Sequence, residues 1–491
     1  MRERLKEKLS DKVIESLFTP TIDNELKRSF NNMMKVNKAH LSMLVTEGII
    51  SKKTGEKING ALIDIENIRK ENFEINYELE DLYFNIEEKI IQKLGVEIGG
   101  QLHTGRSRND LNATVTRMNT RDYLLDICEL LIELRRDLYD LAKKNKELLI
   151  TGYTHMQPAE PITLGHYFSA ILFALERDFS RLINSLKNTN ISPLGSGAMA
   201  STSYKINRAY TSNLLGFDGY MNNSLDGIAS RDYMIETISS MNILMNSLSR
   251  VSYDLYIWST YEYGLVEVSD SVAVTSSIMP QKKNPITLEH IKGKSSHVMG
   301  AVVSITSSIK NTSYGHSRDL AGESQTLFWE GMKETKSSLE LFNETIKGIQ
   351  FDEKKMISQA KKNLSSVTEL ANTLVRKSHI SFREAHGIVG SVVTYLLENN
   401  LGIENINSDL INNISLRTIQ KRIELSEHDI ENSLDPLLNV KSKNVEGGPA
   451  PEEVSNKLLI IKQNIESDNV WYSQFKEQIS QKVQYLSELK I

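Results

Sequence analysis

Apolar residues recur at spacings of three and four over long stretches of the chain, which is the period of an amphipathic helix. Between Asp122 and Leu149 this stripe consists of Leu124, Ile127, Leu131, Leu134, Leu138 and Leu141. Comparable stripes run through Pro161–Leu186, Asp232–Tyr263 and Thr287–Ile309, whereas few segments alternate with a period of two. The pattern therefore predicts an all-α fold whose core is a bundle of very long helices.

Composition and charge limit the kinds of molecule to which this protein could bind. The chain has 491 residues, of which 25% are charged, and a net charge of −5, so it lacks the basic excess of a nucleic-acid-binding protein. No stretch has the length and apolarity of a signal peptide or of a membrane span. We therefore expect a cytoplasmic protein with neither nucleic acid nor membrane as a partner.

The single cysteine, Cys128, lies in the apolar pattern LLDICELLIEL, which predicts a buried thiol. One cysteine can form neither an internal disulfide nor a cysteine metal cluster. His290 and His297 are close in sequence, but no HExxH pattern and no third ligand accompany them. The sequence therefore predicts no metal and no cofactor.

Three short segments gather polar residues between the apolar stripes, and the most informative is motif 3, Thr275–Glu289, which begins TSSIMPQKKNP. Its serines and prolines predict an exposed loop, and Pro285 suits the first turn of the helix that should follow. A loop that brings Ser276, Lys282 and Asn284 to a helix start suits closure over a small anion. The alternative is a basic surface loop without function.

Motif 1, Gln101–Asp110, reads QLHTGRSRND. Thr104, Ser107, Arg108 and Asn109 offer hydrogen-bond donors at a turn that enters a helix, which is how an anion-binding cradle is built. The alternative is a helix cap followed by a solvated basic patch.

Motif 2, Thr151–His166, reads TGYTHMQPAEPITLGH. Thr154 and His155 precede Pro158 and Pro161, so we expect them at the approach to a helix rather than inside one. Taken alone, a histidine in this position is more often structural or solvated than catalytic.

Together the motifs resemble those of the fumarase/aspartase superfamily, and in detail those of the argininosuccinate lyase family. TSSIMPQKKNP resembles GSSxMPxKxNP with Thr275 in place of glycine, motif 1 matches HTGRSRND, and motif 2 resembles THxQxAxPxTxGH. SPLGSGAMA, SLDGIASRDY and SFREAHGIVG extend the resemblance along the chain. It implies a helical N-terminal domain (1–102), a central long-helix bundle with the motifs (103–350) and a helical C-terminal domain (351–491).

The resemblance also implies a carbon–nitrogen lyase that eliminates fumarate from an N-substituted aspartate. The first candidate is argininosuccinate, cleaved to arginine and fumarate in arginine biosynthesis. Ser276, as its alkoxide, would remove the proton beside the carboxylate, and Lys282 would stabilise the charge that develops. His155, paired with Glu289, would protonate the departing nitrogen, although His155 is an alternative base.

The same resemblance implies a set of substrate-binding residues. They are Asp81, Ser107, Arg108, Asn109, Thr154, Gln281, Asn284 and His316.

The long helices constrain where these residues can meet. If 111–145 is one helix, its ends lie about 50 Å apart, so motifs 1 and 2 occupy opposite ends of one chain. One chain then cannot bring the three motifs together, whereas antiparallel packing of neighbouring bundles can. This geometry supports a homotetramer with shared sites, which the resemblance also implies.

The departures from the family concentrate where it holds the arginine part of the substrate. HSRDLAGES stands in place of a YNRDLQEDK-like segment, and a family serine position is occupied by Met33. The family's tyrosine, glutamine and lysine are thereby replaced by His316, Ala321 and Ser324. Either the register is shifted, with Tyr314 or Gln325 substituting, or the leaving group is a different N-succinyl amine. A non-catalytic structural homologue is a third, weaker alternative.

Overall fold

The structure is a computed structural model that describes residues 7–68 and 70–489. The N-terminal part contains α1 (Asp11–Val13), a π-helical segment (Ile14–Phe18), α2 (Thr19–Thr46), α3 (Lys52–Ile68), α4 (Leu82–Leu94) and α5 (Val96–Gly99). Its apolar core includes Phe30, Met33, Leu62 and Ile86, and the first turns of the next helix complete it through Leu111 and Val115.

The central part contains α6 (Arg108–Lys144), α7 (Leu164–Thr189), α8 (Arg208–Leu214), α9 (Ser224–Ala229), α10 (Asp232–Trp258), α11 (Ile286–Ile309), α12 (Arg318–Ala321) and α13 (Thr326–Lys347). The long members α6, α7, α10, α11 and α13 have 37, 26, 27, 24 and 22 residues. Their apolar stripes form one shared core, in which Cys128 is fully buried. The all-α prediction is confirmed.

Short strands join the helices. They are β1 (Leu149–Thr154), β2 (Gln157–Thr163), β3 (Ile191–Ser192), β4 (Gly219–Tyr220), β5 (Val266–Glu267), β6 (Val274–Thr275), β7 (Lys283–Asn284) and β8 (Gln350–Phe351). The pairs β1–β2, β5–β8 and β6–β7 are antiparallel, whereas β3–β4 is parallel.

The C-terminal part contains α14 (Glu353–Lys362), α15 (Val367–Ser378), α16 (Phe382–Glu398), α17 (Ser408–Ile419), α18 (Glu427–Leu434), α19 (Pro436–Ser442) and α20 (Pro451–Glu488). Residues of α15 to α18 form a separate apolar core. Helix α20 contributes no residue to that core and packs on α6, where Arg135 donates to Asp468 at 2.6 Å. The boundaries at 102 and 350 stay a prediction, and α20 belongs by its contacts to the bundle.

Hydrogen bonds fix the direction of α6, α7 and α10. Arg117, near the start of α6, donates to the carbonyl of Asn188 at the end of α7 at 2.8 Å, so these two helices run antiparallel. The Tyr167 hydroxyl, near the start of α7, donates to Asp254 near the end of α10 at 2.7 Å. The chain therefore travels along α6, back along α7 and forward again along α10.

Contacts of α11 and α13 complete the bundle. The hydroxyls of Thr287 and Thr345 lie 2.7 Å apart, which places the start of α11 beside the end of α13. Lys336 of α13 donates to Asp126 of α6 at 2.6 Å. The bundle thus has an Asn109 end, where α6, α10 and α13 begin, and a His155 end, where α7 and α11 begin.

Thr154 and His155 lie before α7 and outside it, as predicted, but residues 149–163 form a β-hairpin that the sequence did not predict. Pro158 and Pro161 lack an N–H and favour extended backbone, so β2 takes the place of the first helical turn expected from Pro161. Helix α7 begins at Leu164, and the Thr163 hydroxyl caps it by accepting the N–H of His166 at 3.0 Å. Pro285 is the N-cap of α11 rather than part of its first turn.

None of the helices within 7–68 and 70–489 combines the length and the apolarity needed to cross a lipid bilayer.

Gly165 allows α7 to start against the end of α6. A Cβ at this position would lie 2.5 Å from Lys146 Cα and 2.8 Å from the carbonyl oxygen of Ala142. We expect Gly165→Ala to lower the free energy of unfolding by about 1–3 kcal/mol in urea denaturation, because backbone atoms must shift. Gly60→Ala is the matched control: it has no atom within 4 Å and should gain up to about 1 kcal/mol. Equal effects of the two substitutions would contradict the prediction.

Candidate active site

The Asn109 end is organised by the cap of α6. The Ser107 hydroxyl accepts the N–H of Asn109 at 3.3 Å, and the Asp110 carboxylate accepts the N–H of Ser107 at 2.9 Å, which forms a capping box. Ser107, predicted to bind substrate, therefore has its oxygen engaged in the cap. Asn109 projects from the first turn, and its amide donates to the carbonyl of Ala198 at 3.1 Å.

The partly exposed Arg108 and the buried Asp81 form an ion pair beside this cap. Arg108 donates to Asp81 at 2.9 Å and to Glu80 at 3.1 Å, and its guanidinium lies 3.9 Å from the ring centroid of Phe84. Asp81 is 1% exposed and also caps α4 by accepting the N–H of Phe84. Both were predicted to contact substrate, and both already have partners within the chain.

Asp110 joins motif 1 to the PLGSGA turn. One carboxylate oxygen accepts the N–H groups of Gly195 and Gly197 at 2.9 and 3.0 Å, while the other accepts that of Ser107. Gly197 has a positive φ of 62°, and a Cβ there would lie 2.5 Å from the carbonyl oxygen of Ser201. Burial raises the pKa of the Asp110 carboxyl to about 6, against the lowering effect of the three N–H donors.

His316 also lies at the Asn109 end. Burial of part of its ring and the positive charges of Arg231, Arg318 and Arg108 lower the pKa of its imidazole. Arg231 itself is buried and donates to the carbonyls of Ile228 and Ser230. The HSRDLAGES segment is thereby placed beside motif 1 of the same chain.

Two other positions that depart from the family, Ser324 in this segment and Met33 in α2, have no free polar group. Ser324 is fully buried, and its hydroxyl donates to the carbonyl of Leu320 at 2.7 Å. Met33 is 1% exposed in the N-terminal core. The Tyr314 hydroxyl, by contrast, is exposed and donates to Asp226 at 2.7 Å.

His155 lies at the tip of the β1–β2 hairpin. Thr154 pairs with Gln157, so His155 and Met156 form a two-residue turn in which their φ angles are 52° and 59°. Such turns favour Asn-Gly, and a non-glycine residue in the left-handed region costs about 1 kcal/mol or more. The turn presents exposed Thr154 and His155 side chains to the outside of the chain.

Ser276 begins the tip of the second hairpin, formed by β6 and β7. Its hydroxyl oxygen accepts the N–H of Met279 at 3.1 Å and that of Ile278 at 3.4 Å. Two backbone donors directed at one oxygen favour a negative charge on that oxygen. The hairpin thus directs two backbone N–H groups at the Ser276 oxygen.

The two lysines of QKKNP have different surroundings. Lys283 pairs with Asp270 at 2.7 Å and with Glu267 at 2.9 Å, and these hydrogen bonds raise the pKa of its ammonium. Lys282 is exposed and has no ion pair within the described part of the chain. Gln281 is exposed and Asn284 is partly buried beside it.

Glu289, in the first turn of α11, is exposed at the same end of the bundle as His155. No hydrogen bond or ion pair joins the two side chains in residues 70–489 of a single chain. Motifs 2 and 3 therefore share one end, and motif 1 lies at the other. Helix α6 separates them by its 37 residues, or about 55 Å.

Sequence reasoning missed Asp110 and the strained turn at His155. Asp110 occupies the third helical position after Ser107, and that spacing is the signal of a capping box. The turn carries no Asn-Gly signal, so its conformation was not predictable from residue type. Across the described ranges, His, Cys, Asp and Glu side chains form no group of three or more suited to holding a metal ion.

Comparison with known proteins places this chain among the lyases. Residues 6–300 match the Lyase family, and residues 364–441 match the argininosuccinate lyase C-terminal family. Argininosuccinate lyase 1 of Shouchella clausii is 49% identical over 96% of this chain and 95% of its own length. Argininosuccinate lyase of Methanocaldococcus jannaschii is 37% identical over 100% of this chain and 97% of its own. The chain belongs to the argininosuccinate lyase family.

A solved structure agrees with this assignment. The crystal structure of EDDS lyase in complex with formate has a TM-score of 0.88 and 28% identity to this chain, and covers 98% of this chain and 95% of its own. The long-helix bundle is thus shared along almost the whole length.

The raised pKa of Asp110 predicts a pH-dependent contribution to stability. A carboxyl whose folded pKa of about 6 exceeds its ordinary value of 3.8 takes up a proton in the folded state first as the pH falls. We expect the free energy of unfolding of the wild type to rise relative to that of Asp110→Asn between about pH 7 and about pH 4, by up to about 3 kcal/mol. Urea denaturation across this range measures the difference, and a constant difference would contradict a raised pKa.

Proposed function

We propose that this chain is a carbon–nitrogen lyase that cleaves argininosuccinate into arginine and fumarate. Support comes from curated relatives named argininosuccinate lyase that align along nearly the whole chain. The observation that carries the mechanism is Ser276, whose hydroxyl oxygen accepts two backbone N–H groups in the same β6–β7 hairpin that carries the exposed Lys282. This arrangement suits removal of a weakly acidic proton next to a carboxylate.

The first step breaks a carbon–hydrogen bond. The Ser276 alkoxide takes the proton from the methylene carbon next to a substrate carboxylate, and the electron pair moves into that carboxylate. The resulting charge needs a cation, and Lys282 is the lysine of its pair that is not held by Asp270 and Glu267. Asn284 adds a hydrogen-bond donor on the same hairpin.

The second step breaks the carbon–nitrogen bond. The electron pair returns from the carboxylate to form the double bond of fumarate, and the nitrogen leaves with a proton from His155. Glu289 would orient His155 and favour its charged form. Because Glu289 makes no contact with His155 within one chain, this pair requires a neighbouring chain.

The shared site extends to the substrate-binding residues. Asn109 and Thr154 would bind the dicarboxylate part with Gln281 and Asn284, while His316 would face the leaving group. Ser107, Arg108 and Asp81 would act by holding Asn109 in place, since their polar groups already bond within the chain.

A homotetramer brings the two ends together. Opposite ends of antiparallel bundles meet when chains pack side by side. Helix α11 offers a surface for this contact, because no charged residue occurs between Lys294 and Lys310 and because Met299 and Val303 are 58% and 59% exposed. A cytoplasmic location, where the single buried thiol stays reduced, belongs to the same proposal.

A second candidate is elimination from a different N-succinyl amine. It is favoured by Ser324, which is buried and bonded to Leu320, and by the uncharged Ala321, since neither can hold a carboxylate. Fumarate addition to a panel of amines separates the two candidates. Arginine as the preferred acceptor supports argininosuccinate, whereas a preference for another amine supports the second candidate.

Removal of the Ser276 hydroxyl should abolish most turnover. We expect Ser276→Ala to lower kcat for fumarate release from argininosuccinate by a factor of about 10² to 10⁴, measured by fumarate absorbance. Ser277→Ala is the matched control, because Ser277 is an exposed neighbour outside this hydrogen-bonded arrangement. An active Ser276→Ala enzyme would exclude this base, and a wild type that releases no fumarate would exclude the proposed substrate.

Mixed oligomers test the sharing of sites between chains. Asn109→Ala and His155→Asn chains, each inactive alone, should recover activity when they are unfolded and refolded together. With equal mixing, about a quarter of sites receive both intact residues from two different chains. Verified mixed oligomers without recovery would contradict shared sites. His155→Asn mixed with Ser276→Ala should also recover activity, because the Glu289–His155 pair requires motifs 2 and 3 of one site to come from two chains, and no recovery would contradict that pair.

A further inference from the structure

We propose that Lys443 and Asn363, from the C-terminal part of the chain, are positioning residues that hold the β1–β2 hairpin and thereby aim His155. This inference rests on the proposed role of His155 as proton donor. It assigns the C-terminal part an indirect influence on the chemistry, because neither residue touches the reacting atoms.

The turn that carries His155 needs support from outside the hairpin. His155 and Met156 both adopt positive φ angles, of 52° and 59°, although neither is glycine. Backbone conformations of this kind persist where the surrounding structure enforces them. The tip itself is exposed, so the support has to come from the base of the hairpin.

The base of the hairpin is closely packed against itself and against the bundle. Gly152 lies at an irregularity in the strand pairing, and a Cβ there would lie 2.8 Å from the carbonyl oxygen of Glu160. On the bundle side, the ring of Tyr153 meets that of Tyr263 edge to face at 6.3 Å. One side of the hairpin is thus held by the connection that follows α10.

The other side of the hairpin rests on the C-terminal part. Asn363 donates to the Thr151 hydroxyl at 2.8 Å, and Lys443 donates to the Glu160 carboxylate at 2.5 Å. A small apolar cluster of Leu149, Ile357, Ala360 and Val440 also joins the start of β1 to α14 and α19. One polar contact holds β1 and the other holds β2, so together they fix the rotation of the hairpin.

The hairpin acts as a lever between this base and His155. Thr154 lies three residues beyond Thr151 on the same strand, which corresponds to about 10 Å. A small rotation at the base therefore moves the imidazole by a distance of the order of 1 Å, and misplacement on that scale costs up to about 10²-fold in rate. A partly exposed ion pair, by contrast, contributes little to the free energy of unfolding.

The test uses Lys443→Met in the full-length enzyme. We expect kcat for fumarate release to fall about 10- to 100-fold with little change in KM, because proton donation to the leaving group occurs in the transition state. The urea unfolding midpoint should stay close to that of the wild type. Lys443→Arg should retain activity, and the charge-swapped pair Glu160→Lys with Lys443→Glu should recover activity that each single substitution loses.

Lys457→Met is the matched control. Lys457 pairs with Glu446 at 2.9 Å, and its side chain is 21% exposed, against 23% for Lys443. It lies in the same part of the chain without contact to the hairpin in the described residues, and its loss should leave kcat unchanged. Asn363→Ala should also lower kcat, because it removes the hydrogen bond to Thr151.

Mixed oligomers separate positioning from general damage. Lys443→Met chains refolded with Asn109→Ala chains should gain activity, since some sites then combine an intact hairpin with an intact Asn109. The same chains mixed with His155→Asn should show no gain, because every hairpin in that mixture is impaired. Gain in both mixtures, or in neither, would overturn the inference.

Two outcomes distinguish this inference from the proposed function. If His155→Asn is inactive while Lys443→Met keeps wild-type kcat, the positioning role is wrong and the lyase mechanism stands. If His155→Asn keeps wild-type kcat, the role of His155 is wrong, and the positioning role falls with it.

Discussion

The rigidity of α6 is the constraint on which the rest of the molecule depends. Its 37 residues run without a break from the cap at Ser107 to Lys144, and they hold Asn109 and the His155 hairpin about 55 Å apart. Because the chain returns along α7 and α10, the Ser276 hairpin is carried to the same end as His155. Each end by itself is an incomplete set of groups, and the proposed chemistry requires ends that belong to different chains.

At each end of the bundle, several backbone N–H groups donate hydrogen bonds to one side chain. Three N–H groups converge on the Asp110 carboxylate and fasten the start of α6 to the PLGSGA turn. Two others converge on the Ser276 oxygen at the opposite end. Backbone donors set by a turn need no reorganisation during a reaction, which is why such arrangements suit developing negative charge.

The parts of the structure that the sequence predicts are determined by residues close together in the chain, whereas the other parts depend on contacts between residues far apart in the chain. The long helices follow from apolar periodicity, and the predicted span Thr287–Ile309 differs from α11 by one residue. The β1–β2 hairpin was not predicted, because apolar residues from Pro161 onward have helical spacing. Pro158 and Pro161 instead favour extended backbone, and α7 begins only at Leu164. The hairpin that carries the left-handed turn at His155 contacts residues distant in sequence, such as Asn363, which donates to Thr151, and no local pattern reveals such contacts.

The site residues divide in the same way. Ser276, Lys282, Asn109 and His155 were selected from short motifs, and their surroundings are compatible with the roles proposed for them. The motifs do not reveal whether a polar side chain is hydrogen-bonded within the chain or is available to bind substrate. Asp81, for example, is buried and bonded to Arg108. That difference depends on the partners each side chain finds after folding.

The unbroken course of α6 restricts how its length can change during evolution. Insertion or deletion of one residue within a helix rotates one end relative to the other by about 100° and shifts it by about 1.5 Å. Such a change would turn Asn109 away from its neighbours, such as the carbonyl of Ala198, while leaving the His155 hairpin in place. Gains and losses of residues should therefore accumulate in connections such as 399–407 and 420–426, whereas the length of α6 should stay constant.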